Sequence, residues 1–213
     1  MHYIFDFDGT LVDSMPFWAG THIKALTESG IPCPENYAQT ITPLGNLKAT
    51  ELAISLGVKA TVEEHLKKVN DELYRGYTTV IPLKEHVKET LLRLKEAGHS
   101  IHVLTASPHL YVDECLKRLG VYDLFDNVWT IEDFARTKND PVIYQMAAQR
   151  LGTTVENCVF VDDNLTAVTT AKVAGMQTIA VYDALSEAFM PQMQETADQY
   201  VMDFSQIRTD CHR

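Results

Sequence analysis

The stretch "YIFDFDGTLVDS", Tyr3 to Ser14, decides how this chain is read. An apolar, strand-like run delivers two carboxylates, Asp6 and Asp8, to a glycine turn, and a third, Asp13, follows closely. Two residues apart on a strand, Asp6 and Asp8 point to the same side, which brings like charges together. That arrangement is costly unless a cation or a proton is shared. A Mg2+ ion, hard and oxygen-seeking, relieves the repulsion and holds a phosphate oxygen at the same time. Gly9 lets the chain turn sharply. Asp13 by itself reads as a helix cap or a solvated turn.

Working outward, further short β-branched or aromatic runs occur at Ile101–Thr105, Val159–Asp162 and Thr178–Tyr182, with fainter ones at Asn127–Ile131 and Gln199–Val201. Their nearly continuous apolar character suits strands buried on both faces. Helical periodicity fills the gaps. "HVKETLLRLKEAG" places Val87, Leu91, Leu92 and Leu94 on one face and stops at Gly98. "LYVDECLKRLG" and "PVIYQMAAQRLG" repeat the formula, the second with Pro141 where a first helical turn tolerates it. Strand then helix, recurring, predicts an α/β fold, a doubly wound parallel-sheet, Rossmann-like core.

Between Met15 and Ile81 no strand signal is found. "FWAGTHIKALTESG", "LKATELAISLG" and "TVEEHLKKVNDELYRGY" read as helices. The expected organisation is a core from residues 1–14 and 82–213 with a helical subdomain, 15–81, inserted after the first strand. Ser14–Pro16 and Thr79–Pro82 are the hinge candidates. Ser186 to Arg213 reads as polar and helical, its "QYVMDF" segment finishing the sheet.

In open α/β sheets, ligands bind beyond the carboxyl ends of the strands. Asp6 and Asp8 lie at one such end, and three more places carry matching chemistry. "HVLTAS" offers the Thr105 hydroxyl and the N–H groups that follow it. "TKNDP" offers Lys138, a point charge able to neutralise a phosphate and an aspartate together. "VFVDDN" ends a strand with Asp162 and Asp163, a carboxylate pair suited to completing a metal shell.

The 213 residues are enough for one sizeable core or a core with an inserted subdomain. With 46% hydrophobic and 22% charged residues the chain is of ordinary globular type. A formal charge of −11 disfavours nucleic acid and anionic membranes as partners, because phosphate contacts need local Lys or Arg. No run approaches the ~20 apolar residues of a transmembrane helix. Cys33, Cys115, Cys158 and Cys211 are scattered without metal-like spacing, which suggests reduced thiols and a cytoplasmic setting.

The ordered set DFDGT, Thr105, Lys138 and the aspartate pair at 162–163 resembles the haloacid dehalogenase-like superfamily, in particular its members with a helical cap. The resemblance covers nearly the whole chain. It implies that Asp6 is a nucleophile forming an aspartyl-phosphate, and that Asp8 is the general acid for the leaving oxygen and then the base for water. It further implies a Mg2+ held by Asp6, the Asp8 carbonyl and Asp163, with Asp162 acting through water. Thr105, the Ala106 N–H and Lys138 would grip the phosphoryl group.

Departures from family patterns narrow the chemistry. Dehalogenases of the superfamily lack an acid at the place of Asp8, and phosphonatases resemble Ala there, so Asp8 favours phosphoryl chemistry. The β-phosphoglucomutase branch typically has DGV and a cap histidine where this chain has Trp18, and a cap lysine where Val69 stands. The expectation is therefore a phosphatase of a small phosphomonoester: a sugar phosphate, phosphoglycolate or a nucleotide monophosphate. The alternative is a phosphomutase, and a non-catalytic binding protein is the third reading. In capped relatives the loop matching "PLGNLK" faces substrate, which nominates Gly45, Asn46 and Lys48. Trp18, as an aromatic wall, and His109, after "TASP", are further substrate-side candidates. His65, His86 and His99 read as solvated helix or loop positions. The oligomeric state is open, with a monomer the default.

Overall fold

The structure, a computed structural model, describes residues 1–208, so Cys211 lies outside the described residues. The chain divides into two compact units, Met1–Asp13 with Pro82–Arg213, and Ser14–Ile81.

The first unit is built on a parallel sheet of six strands: β1 (His2–Phe5), β2 (Ser100–Thr105), β3 (Asn127–Thr130), β4 (Cys158–Asp162), β5 (Gln177–Val181) and β6 (Gln199–Val201). Their spatial order is β3-β2-β1-β4-β5-β6, with every neighbouring pair parallel. This is the doubly wound order, in which the direction of winding reverses beside β1. Tyr3, Ile4 and Phe5 are fully buried, as a central strand covered on both faces requires. Ile4, Leu104 and Phe160 pack with Ile143, Tyr144 and Ala147 and with Ala167 and Ala171. Those residues lie on the helices that follow β3 and β4, Val142–Arg150 and Leu165–Val173. Phe5 stacks on Phe204, ring centroids 6.0 Å apart. The Thr90 hydroxyl donates to the Phe204 carbonyl at 2.9 Å, tying in the helix Val87–Glu96. Leu92 of that helix, expected on its buried face, is instead 41% exposed, because the stripe facing the sheet is Val87, Leu91 and Leu94.

β1 is shorter than the Tyr3–Phe7 run predicts. The ladder strand ends at Phe5, and the chain then folds over itself: the Leu11 and Val12 amides both donate to the Phe7 carbonyl, at 2.9 and 3.1 Å, and Gly9 N–H donates to the Val12 carbonyl. Gly9 has φ +74°, a backbone region that disfavours any side chain with a Cβ. The Asp13 amide donates to the Pro82 carbonyl at 3.0 Å.

The second unit is helical: α1 (Met15–Glu28), α2 (Tyr37–Ile41), α3 (Gly45–Ser55) and α4 (Val62–Thr79). α4 begins with a capping box in which Thr61 and Glu64 satisfy each other's amides. Leu26, Tyr37, Ile41, Ala49, Ala53 and Val58 form its apolar centre. α1 and α4 pack so closely that a Cβ on Gly76 would fall 2.2 Å from the Phe17 ring. His65, expected to be solvated, is only 3% exposed, because its helix face is the one that α4 turns inward with Val69 and Leu73. Among the described residues no helix is long and apolar enough to cross a membrane.

Candidate active site

The register of the sheet places the principal residues. Phe5 pairs with Val161, so the next residues along the two strands are Asp6 and Asp162, and the ladder continues through an Asp6 N–H bond to the Val161 carbonyl at 2.8 Å. β4 then hands over to the helix Leu165–Val173. Asn164 caps it, its side-chain oxygen accepting from the Thr166 and Ala167 amides at 3.0 and 3.2 Å. This tight exit leaves Asp162 and Asp163 at the strand end. Each of Asp6, Asp162 and Asp163 offers a carboxylate oxygen within 4.8 Å of the other two, and all three are buried.

Lys138 lies in the connection after β3. Its Nζ stands 2.7 Å from Asp6 Oδ1 and 2.8 Å from Asp162 Oδ2. The Tyr144 hydroxyl donates to the Lys138 carbonyl at 2.9 Å and holds that backbone. Burial alone lowers the Lys138 ammonium, but Asp162 and Asp6 outweigh it and hold the group well above the ordinary lysine range. Asp162 also accepts from the Asn164 amide at 2.7 Å. Burial nevertheless pushes Asp162 up to about 7 against the pull of Lys138. Asp163 is raised well above the usual carboxylate range by burial, then by Asp162, Asp6 and Asp183.

The charge balance tests whether a metal fits. Four buried carboxylates, those of Asp6, Asp162, Asp163 and Asp183, face two ammoniums: Lys138, which touches Asp6 and Asp162, and Lys84, which lies 2.9 Å from Asp183 and also acts on Asp163. A hard divalent cation supplies the missing positive charge, and an all-oxygen set is what such an ion prefers. The cradle has no room to spare: a Cβ on Gly9 would lie 2.6 Å from Asp163 Oδ2. The residues therefore fit a divalent metal.

Asp8 departs from the expectation of a side-by-side pair. Because the strand ends before it, its carboxylate is not part of the Asp6, Asp162 and Asp163 group. Its Oδ2 instead accepts from the Ser107 hydroxyl at 2.5 Å. Thr105, 1% exposed at the end of β2, accepts the Ser107 amide at 3.0 Å, and Ala106 is exposed beside it. His109 lies at the start of the next helix, where its ring nitrogens meet Asp113 at 3.2 Å and Asp133 at 3.0 Å. Burial opposes its charge, but the hydrogen bonds to those two acids raise it.

In the helical unit, Trp18 Nε1–H donates to Asn46 Oδ1 at 2.5 Å, and His22 Nε2 lies 3.3 Å from the same oxygen. Asn46 Nδ2 donates to Asn70 at 3.2 Å. Asn46 thus ties α1, α3 and α4 together. Gly45, at φ +70°, starts α3, and Lys48 is exposed one turn on.

Sequence reasoning passed over Thr10, Ser107, Lys84, Tyr144, Asp183 and Ser186, whose hydroxyl donates to Asp163 Oδ2 at 3.4 Å. Thr10 is part of the quoted motif and its position was the available signal. The others are joined to the site only by contacts that no local pattern announces.

These features define a class, a parallel α/β enzyme core with an acidic cluster and a bridging lysine at the carboxyl edge of its sheet. Over residues 3–181 the chain matches the family of haloacid dehalogenase-like hydrolases, and it belongs to that family. It is 27% identical to a phosphorylated carbohydrates phosphatase of Thermotoga maritima, over 83% of this chain and 82% of that protein. It is 30% identical to a phosphoglycolate phosphatase of Xanthomonas campestris, over 83% and 80% of the respective lengths. A family IA hydrolase from Entamoeba histolytica superposes with a TM-score of 0.82 at 18% identity, covering 97% of this chain and 95% of that one.

Proposed function

We propose that this chain is a Mg2+-dependent phosphatase that hydrolyses a small phosphomonoester through a phosphoryl group carried on Asp6. The observation that carries the reading is Lys138 spanning Asp6 and Asp162, with Asp163 completing a buried acidic cluster. The similarity to two phosphatases of phosphorylated small molecules supports the substrate class.

Asp6 attacks phosphorus in line, forming an Asp6 oxygen–phosphorus bond as the bond to the leaving oxygen breaks. Lys138 holds Asp6 Oδ1 and so fixes the carboxylate's direction of attack. The Thr105 hydroxyl and the Ala106 N–H bond the equatorial phosphoryl oxygens, which gain charge in the transition state. Asp8 gives its proton to the leaving oxygen, then takes one from the water that releases phosphate from Asp6. Asp6, Asp163 and the Asp8 carbonyl, with Asp162 through water, would hold the metal, which when bound neutralises phosphoryl charge. Gly45, Asn46, Lys48, Trp18 and His109 are carried forward as substrate-side residues on the family resemblance. Of these Lys48 is the exposed cation, while the Asn46 amide and Trp18 indole already engage each other.

The experiment is a screen of phosphorylated metabolites for release of inorganic phosphate, with and without Mg2+. Phosphate release that Asp6→Asn abolishes is expected. Isomerisation of β-glucose 1-phosphate with little phosphate released would replace the phosphatase by a mutase. Wild-type release by Asp6→Asn would remove Asp6 as nucleophile.

A further inference from the structure

Ser107 has no part in the reading above, yet it stands between two residues that do. Its hydroxyl donates to Asp8 Oδ2 at 2.5 Å, and its amide donates to Thr105 Oγ1 at 3.0 Å. Thr105 is itself immobilised: it is 1% exposed, and as the last residue of β2 it pairs with Thr130 of β3. Two hydrogen bonds therefore run from a rigid strand end through Ser107 to a carboxylate that belongs to a different chain segment, 99 residues away.

The need for such an anchor follows from where Asp8 sits. β1 ends at Phe5, and Gly9 follows Asp8 with φ +74°, so Asp8 stands in a turn and not on a strand. A carboxylate in a turn has two side-chain torsions to settle, and the Ser107 hydroxyl engages this one directly. A proton donor, however, must lie within hydrogen-bond reach of the leaving oxygen, about 2.6–3.2 Å. The tether comes from the segment whose Thr105 and Ala106 are proposed to hold the phosphoryl group. It therefore ties the acid to the site that holds the transferring phosphoryl group.

We infer that Ser107 is a positioning residue for Asp8, holding its carboxylate in register with the Thr105–Ala106 phosphoryl site so that the leaving oxygen meets its proton donor. The inference rests on the assignment of Asp8 as acid and base. It makes a claim that a general structural role does not: loss of Ser107 should matter most where the leaving oxygen most needs a proton. A phenolate such as p-nitrophenolate departs with little help, whereas an alkoxide from glycerol 2-phosphate does not.

The test compares kcat and KM of wild type, Ser107→Ala, Ser107→Thr and Asp8→Ala on p-nitrophenyl phosphate and glycerol 2-phosphate with Mg2+ present. Misplacing a proton donor by a fraction of an ångström is expected to lower kcat of Ser107→Ala on glycerol 2-phosphate about tenfold or more. The same variant should change by less than about threefold on p-nitrophenyl phosphate, with KM nearly constant on both. Ser107→Thr, which keeps the hydroxyl, should recover most of the loss. Equal losses on the two substrates, no loss on either, or a threonine variant as impaired as the alanine one would overturn the inference. Asp8→Ala separates this from the reading beneath it. If Asp8→Ala is inactive on glycerol 2-phosphate while Ser107→Ala is unimpaired, only the positioning role falls; if Asp8→Ala matches wild type, the acid–base assignment falls with it.

Discussion

Thr10 and Asp163 exchange two hydrogen bonds: the threonine hydroxyl donates to Asp163 Oδ1 at 2.9 Å, and the Asp163 amide donates back to that hydroxyl at 3.1 Å. Thr10 is fully buried and Asp163 nearly so. The pair therefore clamps the end of β4 to the turn after β1. Thr10→Val keeps the shape and deletes both bonds, leaving a buried carboxylate short of one donor. Leaving a buried polar group short of its partner costs about 1–3 kcal/mol. Urea unfolding should register a loss of that order, together with weaker Mg2+ binding by calorimetry. Unchanged values for both would show that the clamp is idle.

The same cradle makes Gly9 irreplaceable. A methyl group there would meet the Asp163 carboxylate at 2.6 Å, on a backbone with φ +74°. Left-handed backbone strain alone costs a non-glycine residue about 1–2 kcal/mol. Gly9→Ala is expected to lose at least that much stability and most of its turnover. A fully active, equally stable alanine variant would contradict the packing described.

Buried like charges are relieved by a cation, so the metal should stabilise the fold as well as serve the reaction. At a hundred times its dissociation constant, Mg2+ should add about 2.7 kcal/mol to unfolding. Thermal melts with EDTA and with Mg2+ measure this. Asp163→Asn should abolish most of the difference, and a wild-type melt insensitive to Mg2+ would argue against the site.

Two histidines predict a pH dependence. Burial lowers His22 to about 4, against the hydrogen bond that its Nε2–H donates to Asn46, and burial likewise lowers His102 to about 4. Both are neutral in the fold, whereas in the unfolded chain they take up protons below about pH 6.5. Their contribution is thus fully present above pH 6.5 and is lost as pH falls towards 4. Each is worth on the order of 2–3 kcal/mol by linkage. Denaturant midpoints at pH 7 and pH 4.5 check the sign. His102→Gln should show a smaller fall over this window than the wild type, and an equal fall would clear His102 of the effect.

Local chemistry made much of this protein legible in its sequence. Apolar runs of strand length alternating with helical periodicity specify a parallel α/β sheet, because only strands buried on both faces tolerate such runs. The acids in DFDGT and at 162–163, and Lys138, could be named because each sits in a short segment whose own pattern places it near a strand end. The contacts between them were a different matter. That β1 lies beside both β2 and β4 is settled by crossovers joining residues roughly a hundred or more positions apart, and this order brings Asp6 to Asp162 and Ser107 to Asp8. The early end of β1, which parts Asp8 from Asp6, and the burial of His65 and exposure of Leu92 depend on which neighbour covers each face. Sequence determined the parts because periodicity and strand termination are local properties; tertiary structure alone decided the partnerships, because hydrogen bonding and desolvation depend on what the packed chain brings alongside.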